Sequence, residues 1–304
     1  MKSQGPKQYL LALVGHPVTQ SLSPPMHLAA LKHCGLKGQY RLIDLKPEDL
    51  LSGVNQLKSE GYTGFNVTVP HKASVFALCD ELSLEAEPIC VVNTVKIDPT
   101  GRLIGHNTDV GGFMRALTES LSALARKKVA YVMGAGGAAR AAVWGLVFLG
   151  WPKITIVARN TDAANLVIEE VRAGSSKLAH GISLPQFAVS SIDLSSLPNM
   201  PDLVVNATSI GWHGDEIPDW ATSLLKWISP QGLFFDMVYA TTSKPTLLIR
   251  QACRLRLACL DGSEMLLHQA GLAFEFWTGK RAPLDIMREA LMRARVQHLP
   301  TIGE

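Results

Sequence analysis

Apolar residues along the chain switch repeatedly between a period near two and a period near 3.6. In the first third, YLLALVGHP predicts a strand ending in a Gly/Pro loop, and PPMHLAALKHCGL a helix closed by glycine. QYRLIDL predicts a second strand, and PEDLLSGVNQLKSEG a helix with proline near its start and glycine at its end. In GFNVTVPHK, Phe65, Val67 and Val69 alternate with Asn66 and Thr68, the pattern of a half-buried strand, and Pro70 stops it. HKASVFALCDEL predicts a helix, and ICVVNTVKID, followed by a turn at PTGR, a further strand. This βαβα rhythm implies an α/β fold with a mostly parallel sheet.

VGGFMRALTESLSAL predicts a helix leading to mid-chain. KKVAYVMGAGGAARAAVWGLVFLGWPKITIVARN then reads as strand, glycine turn, helix and strand in one unit. PDLVVNATSIG and GLFFDMVYA predict later strands of the same kind of sheet. DGSEMLLHQAGLAFEFWTG and APLDIMREALMRARVQHL predict helices, while SSIDLSSLPNMPD and ATTSKP are loose.

Composition narrows the class. At 304 residues, 47% hydrophobic and 18% charged, the chain has material for two globular domains. A formal net charge of +3 with no long basic run argues against a nucleic-acid partner. The five cysteines (Cys34, Cys79, Cys90, Cys253, Cys259) are odd in number and form no CxxC pair. That pattern indicates neither a disulfide framework nor a zinc site, and it suits a reducing cytoplasm. LLALV is too short for a signal segment, and AAVWGLVFLGW is too short to span a bilayer, so no membrane or export role is expected.

Three places carry candidate chemistry. In MGAGGAAR, Gly134, Gly136 and Ala139 have GxGxxA spacing between a β run and an apolar helix. A dinucleotide site needs Gly134 for the tight turn, Gly136 for backbone approach to the pyrophosphate, and a small Ala139 for helix–strand packing. The next strand, KITIVARN, carries Arg159 where an NAD site wants an acid; an arginine suits a 2′-phosphate and points to NADP, while Asp162 leaves NAD open. Hydride transfer from an alcohol also needs a group for the hydroxyl proton. Lys72 sits at a helix start, where the dipole favours acids over an ammonium, so it is either a proton-transfer group or a snorkelling surface lysine. Asp109 in GHNTDVGGF is the nearest carboxylate candidate, standing just before a helix as a cap would. Asn93 in VVNTV is a polar residue in an apolar strand, costly unless hydrogen-bonded. His16, His27 and His33 are loosely spaced, and no metal is expected.

Taken together, SLSPPMH, GFNVTVPHK, VVNTV, GHNTDVGGF, MGAGGAARA, NATSIG, DMVY and DGSEMLLHQAGLAFEFWTG resemble the shikimate dehydrogenases across nearly the whole chain, in the family's order. The resemblance implies an N-terminal α/β catalytic domain (1–110 and 263–304), to which C-terminal helices return, and a central Rossmann domain (111–262), with substrate in the cleft between them. It implies NADP-dependent, reversible reduction of 3-dehydroshikimate to shikimate, a step of aromatic amino acid biosynthesis, by a cytoplasmic monomer or homodimer. It assigns Lys72 and Asp109 to proton transfer, and Ser21, Ser23, Thr68, Asn93, Tyr239 and Gln269 to the substrate. Gly134, Ala135, Gly136, Gly137, Ala138, Arg159, Asn206, Thr208 and Met237 fall to the cofactor.

The sequence departs from the family pattern at several points. Cys90 and Val91 replace a Gly-Ala pair, and Val110 a glycine. The cofactor strand ends Ala158-Arg159-Asn160, which lacks one polar contact of the usual pattern, and Ala240 and Thr241 replace Asn-Pro. Leu22 in SLSP, in place of the commoner lysine, is shared with quinate/shikimate relatives. A quinate/shikimate dehydrogenase using NAD or NADP is therefore the alternative. A non-catalytic shikimate-binding regulator would be expected to have lost Lys72 or Asp109, and both are present.

Overall fold

A computed structural model of the chain describes residues 8–120, 128–178, 181–195, 197, 199–212, 216–242 and 244–297. They fall into two units: the described residues of Met1–Thr108, Thr241–Ser243 and Leu267–Glu304, and those of Asp109–Ala240 and Lys244–Leu266. The ends of the mid-chain helix (LSAL, 121–124) and of the last helix (HL, 298–299) lie outside the described residues.

In the first unit, β1 (Gln8–Gly15), α1 (Ser23–His33), β2 (Lys37–Asp44), α2 (Leu50–Ser59) and β3 (Gly64–Val67) follow the expected alternation. After them come α3 (Lys72–Leu78), β4 (Glu81–Leu82), β5 (Thr94–Ile97) and β6 (Leu103–His106). The strand order is β2-β1-β3-β5-β6-β4. β1 is parallel to β2 and β3, and β4 to β6, while β5 is antiparallel to both β3 and β6, so this sheet is mostly parallel with one reversed strand. The cause is local. The Asp98 carboxylate accepts from Thr100 N (2.8 Å), Thr100 Oγ1 (2.7 Å) and Arg102 N (3.0 Å), closing a turn too short for a parallel crossover.

Two local expectations change. β3 is buried along its whole length, not half-buried, because it lies between β1 and β5 in mid-sheet. Asn66 is consequently inside and must be paired. Helix α3 ends at Leu78 instead of running through CDEL: Asp80 pairs with Leu103, donating N–H to its carbonyl (2.9 Å) and accepting its N–H at Oδ2 (2.7 Å). That pull sends the chain into β4 beside β6.

The second unit opens at Asp109, within α4 (Thr108–Ser120), and contains β7 (Val129–Met133), α5 (Gly137–Phe148), β8 (Lys153–Val157), α6 (Thr161–Ser175) and β9 (Gln186–Ser190). It continues with β10 (Leu203–Asn206), α7 (Asp219–Lys226), β11 (Leu233–Asp236), α8 (Leu247–Arg254) and β12 (Ala258–Leu260). All the pairings are parallel, in the order β12-β11-β10-β7-β8-β9. From the other edge this is the 3-2-1-4-5-6 order of the Rossmann fold, with its switch point between β7 and β10. Parallel strands covered on both faces read as unbroken apolar runs, which explains VAYVM, LVVN and LFFD.

The C-terminal helices are α9 (Gly262–Thr278) and α10 (Leu284–Gln297). From Leu267 onward they belong to the first unit, where α10 packs on α1 and Trp277 Nε1 donates to Val95 O at 2.8 Å. Trp277 also closes an aromatic group with His27 and Tyr40, whose rings stack at 4.5 Å. Among the described residues no helix is long and apolar enough to cross a membrane.

Candidate active site and dinucleotide site

Since β1 and β3 are parallel neighbours, their carboxyl ends emerge together. His16 N donates to Val69 O (2.9 Å) and Thr68 N to Val14 O (2.8 Å). The approach is close enough that a Cβ on Gly15 would lie 2.2 Å from Thr68 Cγ2. Because β5 runs the other way, its amino end reaches the same place: Val67 N donates to Asn93 O (2.8 Å), and Val92 N to Lys72 O (3.1 Å). Backbone bonds thereby bring Asn93, distant in sequence, beside Thr68 and Lys72 at the carboxyl edge of β1 and β3, where ligands bind in α/β sheets.

Lys72 is the first residue of α3 and half-buried. The preceding His71 is buried and donates from Nε2 to Leu45 O at 2.6 Å, which pins the start of the helix. On the segment after β1, Ser21 Oγ accepts from Ser23 N and donates to Ser23 Oγ, each at 3.2 Å. Gln269 lies half-buried on α9, about two turns before Trp277.

Asn93 is 2% exposed and heavily paired. Its Oδ1 accepts from Thr108 N at 2.7 Å, and its Nδ2 donates to Thr108 Oγ1 at 2.9 Å. Asn66 joins this network, accepting from Tyr40 OH (2.8 Å) and donating to Thr94 Oγ1 (2.9 Å) and Asn93 O (3.2 Å). Asn66 and Thr108 were not singled out from the sequence. The available signal was Asn66 itself, a polar residue in a run that proves wholly buried. In the second unit, Asp109 is the second residue of α4, not a cap before it, and is buried. A carboxylate in the first turn is favoured by the helix dipole.

The glycine turn follows β7. Gly134 has φ +101°, which only glycine adopts freely, and a Cβ there would lie 2.9 Å from Thr208 Cγ2. Gly136 precedes α5, and a Cβ on it would meet only open space, the room a ligand needs for backbone approach. Ala139 is fully buried. A cavity of about 500 Å³ opens here, lined by Gly134, Ala135 and Gly136, by Val157–Asn160, by Ala207–Ile210, and by Pro218 and Trp220. Arg159 is exposed at its edge. The residue set therefore fits a dinucleotide with a 2′-phosphate: a glycine cradle, a helix amino terminus and one cation.

Two further side chains lie beside it. Asn160 lines the cavity and caps α6 by accepting from Ala163 N at 3.0 Å. Arg140 is turned away to structural duty, bidentate to Glu170 (2.6 and 3.0 Å) and bonded to Ala135 O (3.2 Å).

Asn206 is fully buried and reaches the cavity through Thr208, whose N (3.1 Å) and Oγ1 (2.6 Å) both donate to Asn206 Oδ1, and through Ile210, whose carbonyl accepts from Asn206 Nδ2 (3.2 Å). Asn206 in turn donates to Asp236 Oδ1 at 2.8 Å. Asp236 also accepts from Val238 N (3.1 Å) and, at Oδ2, from Thr246 Oγ1 (2.6 Å). One buried carboxylate thus ties the ends of β10 and β11 to the start of α8. Burial pushes this carboxyl up to about 6, against the lowering effect of its three donors. Gly137 and Ala138 open α5 beside the cavity, whereas Met237 and Tyr239 follow β11 and do not line it.

Comparison with known proteins agrees with this geometry. Residues 13–95 match the family model for the shikimate dehydrogenase substrate binding domain, and residues 262–292 that for the shikimate 5′-dehydrogenase C-terminal domain. The shikimate dehydrogenase (NADP(+)) of Magnetococcus marinus is 37% identical over 93% of this chain and 95% of its own length. Two solved structures are similar: shikimate 5-dehydrogenase from Thermus thermophilus in complex with NADP(H) and shikimate (TM-score 0.76, 32% identity, covering 94% of this chain and 99% of that one), and quinate dehydrogenase from Corynebacterium glutamicum in complex with NAD (TM-score 0.81, 30% identity, covering 94% and 100%).

Proposed function

Because the chain belongs to the shikimate dehydrogenase family, we propose that it interconverts shikimate and 3-dehydroshikimate with NADP as the redox partner. The observation that carries this reading is the second unit's cradle: the Gly134–Gly136 turn, open at Gly136, with Arg159 at the far edge of the same cavity. Substrate binding is assigned to residues 1–110 and 263–304 and cofactor binding to 111–262, supported by the two matched family segments in the former.

NADP, when bound, supplies the hydride acceptor for the ring alcohol. The remaining work falls to side chains of this chain. Gly134–Ala138 and the start of α5 hold the pyrophosphate, Arg159 the 2′-phosphate, and Thr208, set by Asn206, the near side of the cavity. Ser21, Ser23 and Tyr239 take the substrate carboxylate, and Thr68, Asn93 and Gln269 its hydroxyls. Lys72 accepts the hydroxyl proton in oxidation and returns it, or offsets the alkoxide charge, in reduction. Asp109 orients the hydroxyl. Five free thiols support a reducing, cytoplasmic setting for a monomer or homodimer.

The variants Lys72→Ala and Asp109→Asn test the roles. Each is expected to lower kcat by about 10²- to 10⁴-fold while shikimate still binds in a fluorescence titration. Full turnover by Lys72→Ala would sink the assignment. A second reading, quinate oxidation with NAD, is favoured by Leu22 and by the similarity to the NAD-bound quinate dehydrogenase. Arg159 argues against it on the cofactor side.

A further inference from the structure

Cys253 and Cys259 play no part in the chemistry above, yet they form a preset pair. Cys253 is exposed on the last turn of α8, and Cys259 is half-buried in β12, with their Sγ atoms 3.5 Å apart. Rigid structure holds them there. Arg256 N donates to Cys253 O (3.0 Å) and Leu257 N to Ala252 O (3.0 Å), and Arg256 takes the left-handed φ of +58° that such a helix end requires. Cys259 is held by the pairing of β12 with β11, opposite Phe234. Leu255, Leu257 and Cys259 all pack on the core of this unit. Five residues separate the two thiols, and rotation of the exposed Cys253 side chain is the motion available to close the remaining gap from 3.5 Å to a bonded S–S distance of about 2.05 Å.

We propose that Cys253 and Cys259 are a modification site that closes to a reversible intramolecular disulfide on meeting a low-molecular-weight disulfide. The Cys253 thiolate attacks one sulfur of RS–SR, the S–S bond breaks, and RS⁻ leaves and takes up a proton. Cys259, having lost its proton to solvent, attacks Cys253 Sγ in the mixed disulfide and expels the second RS⁻. Two protein thiols are oxidised by two electrons, and the reagent is reduced to two RSH. The order follows from exposure. Burial, then the hydrogen bond and charge of Cys253, then the charge of Asp261, push the Cys259 thiol up to about 12. Capping Cys253 removes the two contributions that Cys253 makes, which prepares Cys259 for the second step.

The closed form would restrain a strand that reaches the segment carrying Tyr239. β12 runs into Asp261 and Gly262, and Gly262 N donates to Val238 O at 3.2 Å. Gly262 lies so close to this segment that a Cβ would sit 2.4 Å from Met237 O. The bond would thus anchor the strand that braces Met237–Tyr239.

The folded chain is incubated in oxidised/reduced glutathione mixtures and examined by intact mass and alkylation mapping. The expected result is a species lighter by two hydrogens, in which Cys253 and Cys259 become unreactive together while Cys34, Cys79 and Cys90 alkylate as before. Cys259→Ser is expected to stop at a stable glutathione adduct on Cys253. A persistent adduct on Cys253 in the unsubstituted chain, or a disulfide that forms only in denaturant, would overturn the proposal. The readout is mass, so it does not depend on which reaction the protein catalyses.

Discussion

Replacing Arg159 by alanine tests how the cofactor is chosen. Ala158 has no polar side-chain group, and Asn160, whose Oδ1 accepts from Ala163 N at 3.0 Å as the cap of α6, offers a phosphate only its neutral Nδ2 amide. The one charged side chain at this strand end that can meet a 2′-phosphate is therefore Arg159. A hydrogen bond to a charged group contributes about 1.5–3 kcal/mol, and the exposure of Arg159 places it at the lower end, about 1.5–2 kcal/mol. That corresponds to a fall of roughly 10- to 30-fold in kcat/KM for NADP. NAD lacks the phosphate, so its kcat/KM should stay within about twofold. The assay is initial-rate shikimate oxidation with each cofactor varied, repeated at higher salt, which should narrow the NADP difference by screening. Equal losses with both cofactors would mean that Arg159 shapes the cavity instead of reading the phosphate. No loss with NADP would place recognition elsewhere.

Three further substitutions have expected outcomes. Gly134→Ala forces alanine to φ +101° and puts its Cβ 2.9 Å from Thr208 Cγ2, so NADP affinity in a fluorescence titration should fall at least tenfold. Cys90 stands at φ +58° where the family pattern has glycine, so Cys90→Gly should raise unfolding stability by up to ~1 kcal/mol in a denaturant titration, and a loss would contradict the strain argument. His27 is fully buried with neither ring nitrogen hydrogen-bonded, and burial pushes it down to about 3 from 6.5. Stability is therefore complete above pH 6.5 and declines as pH falls toward 3, by about 2 kcal/mol at pH 5, because only the unfolded chain takes up the proton. His27→Phe should remove that much of the difference between urea titrations at pH 8 and pH 5, and an unchanged difference would refute the burial argument.

The parts of the fold that were legible are those with strong local grammar. β7, the glycine turn and α5 carry an apolar run, a spaced glycine pair and an apolar helix, and they stand where that grammar puts them. The antiparallel turn at β5–β6 was less legible, because its cause is one aspartate collecting three donors. The three-residue strand β12 carries too few residues for a period to show, and β9 shows only a weak alternation of Phe187 and Val189 next to the Ser/Pro-rich stretch. Helix α6 did carry a signal, apolar Ala164, Val167, Ile168 and Val171 behind the Asn160 cap, which the neighbouring nucleotide motif overshadowed. In the candidate site, Lys72 and Arg159 could be singled out because their residue types are unusual for their positions, and Asp109 as the nearest carboxylate candidate, although an acid is ordinary at a helix start. Thr108 and Asp236 could not, because their importance lies in tertiary hydrogen bonds between segments far apart in sequence.

The most direct test of the central claim is the initial rate of cofactor reduction by the purified protein, with shikimate and quinate each paired with NADP and with NAD. Turnover that is fastest with shikimate and NADP, by tenfold or more over every other pair, is the predicted result. Faster turnover of quinate or with NAD, or shikimate binding without turnover, would contradict it.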